Sequence, residues 1–296
     1  RALFGLGPED LDAFAGWCYA AGTHLRPKTQ ETVWCCDFVT QRDGAVADPT
    51  AGNIQTKESN MLLQALNAEL GSDTRRWEVG HGSRHVFLTS DPALSVEHPS
   101  VRSGPDLLMG QSWKKHLPDD RLRDPRERLM EQAALVLERH EINRVRLDLG
   151  ENPANLAWFW GASPRHERRT FSDRTGLSGA VVSSSFPMRG FASCLGLKWQ
   201  AGLTSFQEAT FEKLLQELIT LLERHDWVYV HVRVDTDDPV ERLCAVERID
   251  QMLLKPLTSW LPEQGPWRMA AVLDERSLPS PVWVAIGSGL PQQGVD

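Results

Sequence analysis

Gly179-Ala-Val-Val-Ser-Ser184 is a short apolar run closing on small residues, the pattern of a parallel strand buried on both faces. Pro187 follows at a position tolerated in a helical first turn, so a helix is predicted from there. Ser205-Phe-Gln-Glu208 has the spacing of a capping box, and Phe211, Leu214, Leu215, Leu218 and Leu222 then recur on one helical face. Trp227-Val-Tyr-Val-His-Val232 reads as the next strand. Asp238-Pro239 reads as an N-cap with a first-turn proline, opening a helix that runs to about Trp260. Met269 to Leu273 and Val282 to Ile286 read as two further strands. Strand alternating with helix predicts an α/β fold with an open, largely parallel sheet.

The stretch from Val33 to Gly161 has a different rhythm. Val33 to Thr40 is a strand candidate followed by a turn at Arg42-Asp43-Gly44. Met61, Leu62, Ala65, Leu66 and Leu70 give Lys57–Leu70 helical spacing, Arg84 to Thr89 reads as a strand, and a helix is predicted from Pro125 to His140. This is a separate α+β unit, and the expected domains are 1–32, an incomplete N-terminal part of the core, 33–162, the inserted unit, and 163–296, the α/β core.

Composition narrows the class. A length of 296 residues suffices for two domains, and 41% hydrophobic with 24% charged residues fits a globular chain. A net charge of -8 argues against a nucleic-acid partner, which needs a basic face. The five cysteines form no C-x-x-C pair, and adjacent Cys35 and Cys36 point to opposite strand faces, so reduced core thiols are expected. No run of 18 apolar residues and no signal peptide occur, so no membrane partner is expected and the default compartment is the cytoplasm.

Several motifs carry anion-binding chemistry. Asn143, Arg144 and Asn155, with Gly150 and Gly161 nearby, supply the forks and amides that suit a phosphorylated, hydroxylated acid. The same asparagines also suit helix caps and turns, with Trp158 and Trp160 filling the core. Arg84 and His85 follow the Gly80-His-Gly82 turn and are either anion donors or a solvated edge. Arg189 stands at a helix start after a strand's carboxyl end, where α/β sheets bind ligands; a plain surface arginine is the competing reading. Asp235, Asp237 and Asp238 crowd the end of the strand from Trp227 and are either metal ligands or, for one of the last two, the cap before Pro239.

In combination these segments resemble the archaeal-type 2,3-bisphosphoglycerate-independent phosphoglycerate mutases of the alkaline phosphatase superfamily. The stretches that match run in order from Cys36-Asp-Phe-Val-Thr40 with Asp43-Gly44, through Asp48-Pro-Thr-Ala51-Gly52-Asn-Ile54, Gly82-Ser-Arg84-His85, His140 to Arg146 and Pro153-Ala-Asn155 to Trp160-Gly161. They continue with Phe171 to Gly179, Arg189-Gly190, Val230-His231-Val232 and Glu247-Arg-Ile-Asp250. The resemblance implies an alkaline-phosphatase-like, largely parallel core carrying an inserted α+β domain, with the substrate, a small phosphorylated acid such as phosphoglycerate, in the cleft between them. It places Arg84, His85, Asn143, Arg144, Asn155 and Arg189 at substrate-binding positions.

It also implies a glycolytic isomerase using a divalent metal, Mn, Mg or Zn, and a Ser or Thr nucleophile. Here the chain departs from the pattern. The family's opening segment, which bears the nucleophile and a metal-binding Asp, has no counterpart, so the chain is expected to be N-terminally truncated. Val240 stands where an Asp-Glu-x-x-His element would place its His, and Asp274-Glu275 replaces an Asp-His pair. Asp235 and Asp274 remain as remnants of a His-rich set, and an intact two-metal site is not expected. The catalytic residues are unassigned. Three readings follow: a mutase, a non-catalytic relative that binds a phosphorylated acid or regulates, and a purely structural relative, against which the retained Arg and Asn motifs count.

Overall fold

Strand β1 (Thr32–Arg42) is buried without interruption from Thr32 to Thr40, unusual for an antiparallel strand, because both faces of its sheet are covered. Trp34, Cys36 and Phe38 face a core shared with Leu62, Leu63 and Leu66 of α2 (Thr56–Leu70) and Leu129, Met130 and Leu137 of α3 (Pro125–Arg139). Val33 and Cys35 face Tyr19 and Ala20 of α1 (Ala15–Gly22). Each fully buried leucine contributes about 1.5–3 kcal/mol. The computed structural model describes residues 4, 6, 15–94, 104–117, 125–163, 169–234, 236, 238–273 and 282–290. They divide into one unit of residues 1–202 with 225–231 and another of residues 203–224 with 232–296.

In the first unit β1 pairs antiparallel with β2 (Ala45–Asp48), β4 (Arg84–Thr89) and β5 (Leu156–Ser163), and β4 with β3 (Arg75–His81). Asp43 and Gly44, between β1 and β2, both have positive φ, 51° and 78°, as a two-residue type I′ hairpin turn requires. After α4 (Glu141–Asp148) and β5, α5 (Phe171–Thr175) leads into a second sheet. There β6 (Gly179–Ser183) lies parallel between β7 (Lys198–Gln200) and β8 (Trp227–His231), with α6 (Phe186–Cys194) following β6. Helix α1 fits tightly between β1 and α6. A Cβ on Gly16 would lie 2.2 Å from the Val33 carbonyl oxygen, and one on Gly190 only 1.7 Å from that of Cys18. Both positions therefore need glycine.

The second unit contains α7 (Glu208–Leu222), whose Phe211, Leu214, Leu218 and Leu221 are buried, then α8 (Pro239–Ile249), a π turn over Asp250–Leu254 and α9 (Lys255–Trp260). The Asp238 carboxylate accepts from the Val240 and Glu241 amides at 2.7 and 3.4 Å, the cap read from the sequence. The Ser205 capping box does not form. Its hydroxyl meets that of Thr210 at 2.8 Å, and α7 begins later, behind Gln207. Strands β9 (Arg268–Leu273) and β10 (Val282–Gly287) pair with each other antiparallel, where the strand–helix rhythm predicted more parallel strands. The link between them is shorter than the dozen or so residues a parallel crossover needs.

Candidate functional site

Residues of β1 alternate between two cores, and Asp37 puts a carboxyl group on the face that meets α1. The Trp160 indole N–H donates to Asp37 Oδ2 at 2.8 Å, and the Tyr19 hydroxyl reaches the same oxygen at 3.5 Å. Asp37 Oδ1 is buried without a hydrogen-bond partner. Arg84 is the cross-strand neighbour of Asp37 in the β1–β4 register, which puts the two Cβ atoms about 5 Å apart. Its guanidinium, with the side chain 30% exposed, extends to within 3.8 Å of the Asp106 carboxylate.

Burial drives the electrostatics. It raises the Asp37 pKa to about 7, against the pull of Arg84 and the hydrogen bonds from Trp160 and Tyr19, while Asp106 adds a further upward push. Burial and then Asp37 lift the Tyr19 phenol well above its ordinary value. The cluster is a buried acid that titrates near neutrality beneath a half-exposed arginine, and such perturbed groups concentrate at functional sites.

Arg189 leaves α6, whose first residue Phe186 packs against Tyr19 with ring centroids 5.2 Å apart. Its guanidinium stacks over the Trp199 ring at 5.0 Å and lies 3.3 Å from His24 Nδ1. Arg84 thus connects to α1 through Asp37 and Tyr19, and Arg189 reaches His24, two residues past the end of that helix.

The other residues singled out in the sequence lie elsewhere. His85 points to the opposite face of the sheet from Arg84, fully buried and edge-on to Phe38, with its Nδ1 accepting from the Gly80 amide at 3.2 Å. Burial, then His81, depresses its pKa to about 3, so the ring is neutral. Asn143 is a clamp: its amide donates to the Leu137 and Ala154 carbonyls at 2.8 Å each and accepts from the Ala154 N–H at 2.9 Å. Asn155 pairs with the backbone of Gln41 at 2.7 and 3.0 Å. Arg144 is exposed on α4. Its neighbour Arg146 is buried instead, paired with Glu58 and Glu151 at 3.0 Å each and donating to the Ala51 carbonyl at 2.8 Å.

That last contact locks the 48–54 loop, where Ala51, Gly52 and Asn53 are all left-handed. Asp48 anchors the same loop. Burial alone would raise its pKa, but hydrogen bonds from Thr50, Asn152 and the Gly52 amide hold it low.

Asp235 and Asp274 lie outside the described residues. Among the described residues no three His, Cys, Asp or Glu side chains are placed to hold a metal ion. His231 Nδ1 lies 3.0 Å from the Ser183 hydroxyl, and Val240 is exposed. The described donor set does not fit a two-metal centre.

Two solved structures share the fold. The cofactor-independent phosphoglycerate mutase of Thermoplasma acidophilum is 22% identical with a TM-score of 0.53, over 99% of this chain and 77% of its own. A Pyrococcus horikoshii protein is 18% identical with a TM-score of 0.56, over 91% and 65% respectively. The chain therefore shares the mixed α/β fold of those structures. A family model described as 2,3-bisphosphoglycerate-independent phosphoglycerate mutase matches residues 2–143. A probable mutase of that description from Geobacter sulfurreducens is 29% identical over 77% of this chain, and one from Methanosarcina barkeri 27% over 80%. Over these stretches the chain is similar to the 2,3-bisphosphoglycerate-independent phosphoglycerate mutases. It spans 58% and 61% of the length of those two relatives. No helix among the described residues is long and apolar enough to cross a membrane.

Proposed function

We propose that this chain binds a small phosphorylated acid, phosphoglycerate or a close analogue, through Arg84 and Arg189, and serves the family reaction that interconverts 2-phosphoglycerate and 3-phosphoglycerate. The observation that carries the reading is Arg84 held half-exposed above the buried Asp37, at a position matching the family's anion-binding motif. A guanidinium fork pairs with phosphate or carboxylate oxygens in two-point geometry. Arg189 supplies a second cation whose stacking on Trp199 restricts its freedom before a ligand arrives. His85, Asn143 and Asn155 act behind the site, shaping the sheet and loops that carry it. In this reading residues 33–162 form the inserted substrate-binding domain, and the compartment is the cytoplasm.

The family's metal-assisted phosphoryl transfer would need a divalent ion, and the described side chains do not supply its ligands. A second reading therefore stands: a relative that binds the phosphorylated acid without turning it over, favoured by Val240 at the position where the resemblance expects an imidazole. Calorimetric titration with 3-phosphoglycerate, with and without Mn²⁺, separates them. Binding that strengthens with metal and is accompanied by mutase turnover supports the enzyme. Metal-independent binding lost in Arg189→Ala supports the binding relative, and the absence of any binding removes both.

A further inference from the structure

Asp37 has no role among the sequence's candidate site residues, yet it is a buried titratable group directly across the strand pair from Arg84. The two residues are register partners on adjacent strands. The charged or titratable groups that interact with Asp37 are Arg84 from β4, Tyr19 from α1, Asp106 from the 3₁₀ turn Pro105–Leu108, and Cys35 and Cys36 on its own strand; the β5 neighbour, Trp160, does not titrate. Arg84 is the cation of this set, and it is shared between buried Asp37 and half-exposed Asp106. Asp37 Oδ2 already accepts from Trp160 and Tyr19, whereas Oδ1 has no partner and is free to carry a proton.

We propose that Asp37, facing Arg84 across the strand pair, is a positioning residue whose charge Arg84 balances in the free protein, and that it takes up a proton on Oδ1 when Arg84 turns its charge to an anionic ligand. This rests on the reading of Arg84 as an anion-binding residue. The physical cause is direct. A buried carboxylate is tolerated only while a cation compensates it, and an anion bound to the same guanidinium cancels that compensation. The proton comes from solvent, no covalent bond other than O–H forms, and the acid becomes neutral. The position of the Asp37 titration near neutrality places the exchange in the working pH range. Because linkage is reciprocal, ligand affinity falls as pH rises, by up to about tenfold per pH unit where one whole proton is taken up.

The test is calorimetry of 3-phosphoglycerate binding near pH 8, where its phosphate is fully ionised, in two buffers of different ionisation enthalpy. The binding enthalpy of the wild-type protein should differ between the buffers by the difference in their ionisation enthalpies times a proton uptake approaching one. In Asp37→Asn it should not differ, and affinity should lose its decline between pH 6 and 8. Equal proton uptake in the two proteins overturns the coupling while leaving the anion site intact. Failure of the wild-type protein to bind at all overturns the site and the coupling with it. Infrared difference spectra of the wild-type protein with ¹³C-labelled aspartate give a second measurement, independent of how the variant folds. Ligand should increase the protonated-carboxyl band, and an unchanged band overturns the proposal.

Discussion

Asp37 and Arg84 stand opposite each other on β1 and β4, one enclosed and the other reaching out to Asp106. The pair holds a potential charge on a sheet face that also buries Val33, Cys35, Val86 and Leu88. Its stability depends on pH in a direction the geometry fixes. The Asp37 pKa is raised to about 7 in the folded protein from 3.8, so between those values the folded state holds the extra proton. Stability therefore falls as pH rises across that window and the loss is complete above about pH 7.

Replacing the carboxyl with an amide of the same shape removes this penalty. Asp37→Asn is expected to match the wild-type protein near pH 4 and to exceed it at pH 8 by on the order of 4 kcal/mol, given ~1.4 kcal/mol for each pH unit that separates the folded and unfolded values. Urea unfolding at the two pH values checks it. A variant less stable than wild type at pH 8 would show that the ionised carboxylate is well compensated by Arg84.

His85 gives the opposite slope. Its folded pKa, about 3, lies below the ordinary 6.5, so the stability it contributes is present above pH 6.5 and is lost on acidification toward 3. Between about pH 4 and 6.5 the two slopes oppose each other and the wild-type profile is expected to be flat. Asp37→Asn should unmask a fall of about 1.4 kcal/mol per pH unit on acidification, and His85→Gln should remove that fall. Parallel unfolding curves for wild type and His85→Gln from pH 7 to 4 would contradict a neutral, buried His85.

The fold could be read from the sequence where local chemistry acts alone. Asp238-Pro239 capped its helix and Asp43-Gly44 made its turn. The β9–β10 pairing was missed because strand periodicity says nothing about which strand lies alongside. For the candidate site, position in the sequence drew attention to Arg84 and Arg189, whereas Asp37 lay within an apolar strand. A charged residue between Cys36 and Phe38 was the available signal, and its meaning required Tyr19, Trp160 and Asp106 from distant parts of the chain. Arg146 eclipsed Arg144 for a related reason: two positions apart on a helix, they face different surroundings.

That difference predicts separate outcomes for the two arginines. Arg146→Met leaves Glu58 and the Ala51 carbonyl without their buried partner and frees the left-handed 48–54 loop. A loss of about 3 kcal/mol is expected, typical of breaking a buried pair from one side. Arg144→Ala, at an exposed position, should change stability by less than about 0.5 kcal/mol. Thermal unfolding of both variants tests the assignment, and equal effects would refute it.

Asn143 separates a clamp from a ligand contact. Asn143→Asp keeps an oxygen to accept from the Ala154 N–H but sets a carboxyl oxygen against the Leu137 and Ala154 carbonyls, where the amide now donates twice. With α4 tied there to α3 and to the segment leading into β5, the loss of two buried donors is expected to cost about 2–4 kcal/mol. Near neutral pH a buried carboxylate facing two carbonyls has no cation to compensate it, so the cost should grow as pH rises from 5 to 8. The variant's affinity for 3-phosphoglycerate, measured where it remains folded, should stay within about threefold of wild type, less than 1 kcal/mol. A large loss of affinity with unchanged stability would return Asn143 to the binding surface, where the sequence motif first placed it.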